Sequence, residues 1–370
     1  MSPMNTGTGI GLANIAFAMA VGQFVWGAVQ PIAGVLAHRW GHAPVLAGGL
    51  LLLVAGTLVT PLMESTLGLV LMLGVVQAAG AGVGSFSLLM SAAAIRIPAE
   101  RRAMSSGLIN AGGSLGQLVF APITAALIGW IGWAQAMWAM AAVALLALPM
   151  VWGLRDNGPV SSAAVAGGPS LREQVGSALM DRSYLLLHGA FFTCGFHIAF
   201  LMTHLPTEIQ LCGLSPQVSG YAIGIIGLFN IIGSLGIGWL ATYWRMRSLL
   251  FWLYGLRALA IAVYLLAPKT ALTLYVFSAF IGLTWLATVP PTAGLVAKLF
   301  GIRHLATLFG LTLLSHQIGG FLGAWLGGLA VEAHGDYAMV WLADIALAAL
   351  AALLSLPVRE APPRLAAATA

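Results

Sequence analysis

The stretch Gly34-Val35-Leu36-Ala37-His38-Arg39 closes the first long apolar run of the chain, and Gly238-Trp239-Leu240-Ala241-Thr242-Tyr243 closes another 204 positions later. A second pair keeps nearly the same offset. Ser106-Gly107-Leu108 and Phe309-Gly310-Leu311 each open an apolar run, their glycines 203 positions apart. Both runs continue into glycines, at Gly112, Gly113 and Gly116 and at Gly319, Gly320 and Gly323. An offset that holds across separate loops marks a duplicated unit rather than chance likeness between apolar segments.

Composition says what the unit is made of. The chain has 370 residues, 60% of them apolar and only 7% acidic or basic, where soluble domains carry about a quarter charged residues. That excludes a soluble enzyme and a disordered chain. The net charge of +5 comes from fifteen Lys and Arg scattered against ten Asp and Glu. No basic face is left for nucleic acid. Cys194 and Cys212 are too few for a disulfide framework. The solvent for such a chain is the lipid bilayer.

A bilayer core about 30 Å thick needs roughly 20 apolar residues per helix. Eleven runs qualify, at about 13–37, 44–63, 67–94, 104–128, 134–154, 183–205, 216–241, 248–267, 270–297, 305–331 and 336–357. They are far too long for the strands of a transmembrane barrel. The expected fold is therefore an all-α polytopic membrane protein of two helical bundles. With the first run pointing inward, thirteen of the fifteen basic residues fall on one side. Lys269 alone stands on the other, and Arg257 lies inside a run. Positive residues stay cytoplasmic, which puts the C-terminus inside. No signal-peptide pattern opens the chain. Residues 1–154 form the first expected bundle, with five helices, and 183–358 the second, with six. A polar stretch at 155–182, through Asn157-Gly158-Pro159 and Gly167-Gly168-Pro169, reads as a cytoplasmic linker. Residues 359–370 form a cytoplasmic tail.

Gly34-x-x-x-His38-Arg39-x-Gly41 resembles the loop signature of the major facilitator superfamily. Two further stretches resemble its bacterial monocarboxylate and oxalate/formate-type branch: Cys194-Gly-Phe-His197-x-Ala-Phe-x-x-Thr203-His204-Leu-Pro206 and Trp285-Leu-Ala-Thr-Val-Pro290-Pro291-Thr. The resemblance implies twelve helices, so the first would be missing here and residues 1–154 would hold helices two to six. It also implies a monomeric secondary transporter in a bacterial inner membrane, with Gly34, His38, Arg39 and Gly41 as a gating loop. There are departures. His38 stands where the signature has Asp, and Thr242-Tyr243 where the second half has Asp-Arg. Gly74 occupies the place of a proton-linked Arg. Asn230 and Ser234 stand where animal monocarboxylate carriers have Asp and Arg. The Gly-Pro signature of drug antiporters is missing from Leu108–Pro122.

Polar groups inside the runs are the candidate site, because a charge in hydrocarbon costs about 2.5–3.5 kcal/mol on insertion scales. Arg257 has two readings. It is a guanidinium for a substrate carboxylate, or the partner of Asp344 in a structural ion pair, at depths about 5 Å apart. The resemblance favours the pair, since it puts both host helices at the bundle periphery. His197 and His204 share a helix face while His188 points away. His197, near mid-membrane, is a candidate for substrate binding and proton coupling, and so is His316, beside Gln317. Gln23, Gln30, Gln77, Asn110, Gln117, Asn230 and Thr288 either line a hydrated pathway or bond between helices. Among these, Gln23, Asn110 and Asn230 join Gln317 and Arg257 as substrate candidates. Pro122 and Pro290-Pro291 break helices at membrane depth. Gly319, Gly323 and Gly327 allow close helix packing. Trp130 and Trp133 suit an interface.

Cys194 and His197, an i, i+3 pair, are too few for a metal, and no metal or other cofactor is expected. GxxxxGK[ST] and HExxH are missing and no paired aspartates lie within the runs, which argues against an ATP-driven pump and against an enzyme. The expected function is secondary active transport of small, monocarboxylate-like organic anions by alternating access, with protons as the candidate coupling ion. The alternative is efflux of apolar metabolites or drugs.

Overall fold

The computed structural model describes residues 2–155 and 169–360. A short helix, Ser2–Thr8, leads into α1, Leu12–Trp40, and α2, His42–Val59. The glycine between α1 and α2, Gly41, has φ 84° and returns its N–H to the Ala37 carbonyl, a backbone state that costs glycine nothing. Next come α3, Thr66–Ala94, then α4, Arg102–Ile131, and α5, Trp133–Leu154. The remaining helices are α6 (Leu171–Leu179), α7 (Arg182–Leu211), α8 (Pro216–Leu240), α9 (Met246–Leu266), α10 (Ala271–Phe300), α11 (Leu305–His334) and α12 (Ala338–Ser355).

Among the described residues, ten helices are long and apolar enough to cross a membrane, and α4 is a continuous helix of 30 residues. Their outer faces carry exposed large apolar side chains such as Leu266, Leu272 and Trp325, as lipid-facing surfaces do. Two helices are irregular. α3 runs through a π-helical stretch, Val70–Gln77. α10 breaks at Trp285 into a 3-10 turn, Leu286–Thr288, and resumes at Val289. Pro290 and Pro291 account for the break, because they offer no N–H to the carbonyls of Leu286 and Ala287 four residues earlier.

The stretch expected as an irregular linker is partly helical. α6 opens on a capping box in which Ser170 Oγ accepts from the Glu173 N–H while the Glu173 carboxylate takes the Ser170 N–H at 2.7 Å. The Ser170 N–H, together with its hydroxyl at 2.9 Å, donates to the Glu173 carboxylate and holds it below its ordinary pKa. Residues 156–168 of the linker and 361–370 of the tail lie outside the described residues, as do the side chains of Gln117 and Pro122.

The chain divides into two compact units that interleave in sequence. The first comprises Met1–Arg96, Val119–Gly168 and Ile302–Leu314; the second comprises Ile97–Leu118, Pro169–Gly301 and Ser315–Ala370. The core of the first gathers Ala33, Ala37, Val45, Leu46, Val83, Leu88 and Ala306. That of the second is aromatic, with Tyr264 stacked on Phe277 at 4.4 Å and Phe200 edge-on to Trp341 at 4.9 Å. In the second unit, α11 lays Gly319, Gly323 and Gly327 against Phe192, Phe196 and His204 of α7, so close that a Cβ on any of them would overlap α7 atoms. The glycine row is a packing surface.

One end of the second unit is tied by the residues after α12. The Glu360 carboxylate accepts from the backbone N–H groups of Met246 (3.1 Å) and Arg247 (2.9 Å) at the start of α9, and from Lys298 (2.6 Å) near the end of α10. Next to it, Arg359 pairs with Asp181, the N-cap of α7, and donates its N–H to Ser183 Oγ at 3.0 Å.

Candidate functional site

The break in α10 leaves backbone groups without helical partners, and side chains of the second unit collect around them. Arg257, fully buried on α9, donates to the carbonyls of Thr284 and Trp285, the latter at 2.8 Å. Its other terminal nitrogen faces the Cys194 sulfur at 3.7 Å. Cys194 in turn bonds Thr288 Oγ1 at 3.2 Å. On the same face of α7, one turn further on, His197 Nδ1 bonds Asp344 of α12, both side chains being fully buried. The pair keeps two buried atoms with no hydrogen bond, His197 Nε2 and Asp344 Oδ1.

This corrects the expected ion pair. Arg257 and Asp344 do meet one cluster, but His197 takes the carboxylate and the broken helix takes the guanidinium. Depth along two packed helices does not decide the pairing, because the His197 imidazole on a third helix and the carbonyls at the α10 break compete for the same two groups.

A second group of side chains binds the same break from the other side. On α8, Asn230 Oδ1 accepts from the Leu286 N–H at 3.0 Å while its Nδ2 donates to Ser114 Oγ on α4 at 2.6 Å. On α4, Asn110 Nδ2 donates to the Leu286 carbonyl at 3.0 Å and to Ser234 Oγ on α8 at 2.7 Å. Each helix thus contributes an Asn-x-x-x-Ser pair, and the two pairs bond reciprocally. Leu286 can accept because Pro290 has no N–H to offer it.

Homology accounts for this arrangement of helices. The model of the Major Facilitator Superfamily matches residues 1–324. The chain belongs to that superfamily. It is similar to monocarboxylate transporter 13 of Bos taurus, at 25% identity over 93% of this chain and 80% of that protein. It is also similar to a chloramphenicol resistance protein of Streptomyces lividans, at 26% identity over 61% of this chain and 57% of the other. Among solved structures, the proton:xylose symporter XylE superposes with a TM-score of 0.76 at 14% identity, over 98% of this chain and 91% of that one. A chain of the facilitator superfamily is a multi-pass membrane transporter and not an enzyme.

The other anticipated residues of this facilitator fall as follows. His316 Nδ1 bonds Gln317 Oε1 at 2.9 Å, and the imidazole lies near the Cys194 thiol, with Nε2 buried and unbonded. Its carbonyl presses on Gly195, where α7 and α11 touch. His188 bonds Ser315 at 2.7 Å and stands apart from the cluster. His204 lies between Tyr337 OH (3.1 Å) and the Ala324 carbonyl (2.8 Å). Gln23 is exposed on α1, in the first unit, and Gln30 there accepts from Ser87 at 2.9 Å. In the loop signature, Gly34 packs on Ala306 and Thr307, His38 meets the His304 ring at 4.5 Å, and Arg39 is exposed. A crevice of about 490 Å³, lined by residues including Trp40, Gly41 and Trp152, opens on the first unit and shares no residue with the cluster.

One buried acid escaped the sequence reading. Glu208, near the end of α7, accepts from Tyr264 OH at 2.8 Å. Beyond the helix, burial and the nearby Glu208 push the Cys212 thiol pKa up. The expected span stopped at 205, so the acid fell outside it. The helix continues through Pro206 to Leu211.

Proposed function

We propose that this transporter moves small organic anions of the monocarboxylate class together with protons, by alternating access of two bundles, 1–154 with five helices and 183–358 with six. In this reading it works as a monomer in a bacterial inner membrane, its C-terminal segment cytoplasmic. The observation that carries the proposal is the buried His197–Asp344 pair beside Arg257. With Nδ1–H given to an ionised Asp344, neutral His197 presents a bare Nε2 as the proton acceptor. In that state Arg257 and Asp344 cancel. A proton on Nε2 leaves the cluster at net +1, a charge that hydrocarbon disfavours. An organic anion entering with the proton restores neutrality, which links the two.

His316 is the companion group: protonated on Nε2, it becomes a donor for a carboxylate oxygen, with Gln317 holding its ring. Arg257 supplies field more than direct contact, since one terminal nitrogen already serves the broken helix and the other faces the Cys194 sulfur. Asn110 and Asn230 hold the seam between α4 and α8, and Gln23 lines the pathway. Similarity to monocarboxylate transporters over most of the chain supports the anion class.

The test is uptake of labelled pyruvate or lactate into proteoliposomes under an inward proton gradient. Wild-type protein accumulates the anion, and His197→Ala removes the gradient-driven part. Full gradient-driven uptake by His197→Ala ends the proton assignment. The second reading is efflux of apolar metabolites or drugs, favoured by similarity to a chloramphenicol resistance protein and a fujikurins efflux protein. Transport of a hydrophobic dye with no carboxylate uptake at any pH would establish it instead.

A further inference from the structure

The peptide group joining Trp285 to Leu286 is held from both sides. Trp285 has ψ −88°, against about −42° in a regular helix, which turns this group out of line with its neighbours. Its oxygen accepts from Arg257 at 2.8 Å and lies 3.7 Å from the Cys194 sulfur. Its N–H donates to Asn230 Oδ1 at 3.0 Å. A peptide group is a rigid plane, so its oxygen and hydrogen cannot move independently. Any rotation that withdraws the oxygen from Arg257 also withdraws the N–H from Asn230. One atom group further on, the Leu286 carbonyl carries Asn110. From the two asparagines, bonds continue to Ser114 and Ser234.

We propose that the 285–286 peptide plane couples the buried charge cluster to the seam between α4 and α8, with Ser114 and Ser234 as positioning residues. The proposal rests on the proton–anion reading above. Arg257 lies near enough to His197 to act on it electrostatically. A proton gained at His197 therefore repels the guanidinium and loosens its hold on the Trp285 oxygen. The plane then turns and Asn230 loses its backbone anchor; the adjoining Leu286 carbonyl, which carries Asn110, is released to follow, and the reciprocal bonds across the seam weaken. The groups facing His197 and its cluster are Cys194 on its own helix, Arg257 and Tyr254 from α9, Trp285 and Thr288 from α10, His316 from α11, and Asp344 from α12. Arg257 is the one fixed cation among them, so it is the group that must respond.

The experiment compares two transport modes in proteoliposomes of the full chain: carboxylate counterflow at equal pH, and accumulation driven by an inward proton gradient. Ser114→Ala with Ser234→Ala keeps both amides anchored on Leu286 but cuts their links across the seam. Counterflow is expected to stay within about twofold of wild type, while gradient-driven accumulation falls about fivefold or more and its pH profile flattens. Ser→Thr at both positions restores coupling. Parallel loss of both modes, or no loss of either, overturns the proposal. If the double variant does not fold, Ser234→Ala alone, which loses only the Asn110 bond, gives the same comparison. His197→Ala separates the two levels. Retention of gradient-driven uptake there defeats the proton reading itself. Its loss there, with normal coupling in the serine variants, defeats the peptide plane alone.

Discussion

At the crossing of α1 with α11, Gly34 rests on the backbone of Ala306 and Thr307, and Gly310 on that of Gln30 and Pro31. At the crossing of α4 with α8, Gly107 rests on the Ser234 carbonyl and on Gly238. The sequence offsets make these crossings copies: Gly34 corresponds to Gly238, and Gly107 to Gly310. A Cβ on Gly310 would sit 2.7 Å from Pro31 N, and one on Gly107 would sit 2.7 Å from the Ser234 oxygen. Yet the chemistry differs one turn or two away. The positions that match Asn230, Ser234, Asn110 and Ser114 are Trp26, Gln30, Leu313 and Gln317. Gln30 bonds Ser87 of α3, and the ring contact beside this crossing is Phe86 on Phe309, 5.5 Å apart. Duplication preserved the backbone geometry of close approach and left the side chains free to specialise. One crossing adds a reciprocal amide–hydroxyl seam to its glycines; beside its copy stand aromatic rings.

Several measurements would break or sharpen that comparison. The largest effect should come from glycine replacement, because the neighbours are backbone atoms that cannot step aside. Gly310→Ala and Gly107→Ala should each cost about 3 kcal/mol, read as loss of thermal stability in detergent. A neutral Gly310→Ala beside a damaging Gly107→Ala would deny that the crossings share a geometry. Next, Asn230→Ala should cost about 2 kcal/mol, since it strands the buried Leu286 N–H. Gln30→Ala, at the position in the other crossing that matches Ser234, loses one bond to Ser87 and should cost only about 1 kcal/mol. Equal losses would mean that the seam is no stronger than its copy.

The smallest effect is a control in acid. Glu173, outside both crossings, has its carboxyl pKa lowered by Ser170. Its capping contribution is present at neutral pH and lost only as pH falls through that lowered value. Changes in transport between about pH 7.5 and 5.5 therefore owe nothing to α6. Hydrogen exchange that rises in α6 across that interval would contradict this.

The helical architecture was readable because hydrocarbon leaves the backbone few alternatives: long uncharged runs, thirteen basic residues on one side and a repeated Gly signature all point the same way. The polar centre was readable only as an inventory. His197, Asp344, Arg257, Asn110 and Asn230 stood out as costly residues in apolar runs, but their pairing did not. Partner choice depends on rotations of three or more helices about their axes, and a depth count along each helix contains no such angle. Pro290 and Pro291 announced a break. Which carbonyl it would free, and toward which helix, depended on the ψ of Trp285, for which no residue pattern codes. Glu208 lies beyond the expected span because α7 runs through Pro206 to Leu211, further than the apolar run that ends at 205.

The tie formed by Arg359 and Glu360 bears on the order of biosynthesis. Both residues leave the ribosome after every helix whose end they secure, so α9 enters the bilayer with two backbone donors, and α7 with Asp181 and Ser183 as acceptors, still without these partners. The second unit can close that edge only when translation has passed Glu360. A chain that ended a few residues before Arg359 would hold α7 to α12 and lack the knot that binds them.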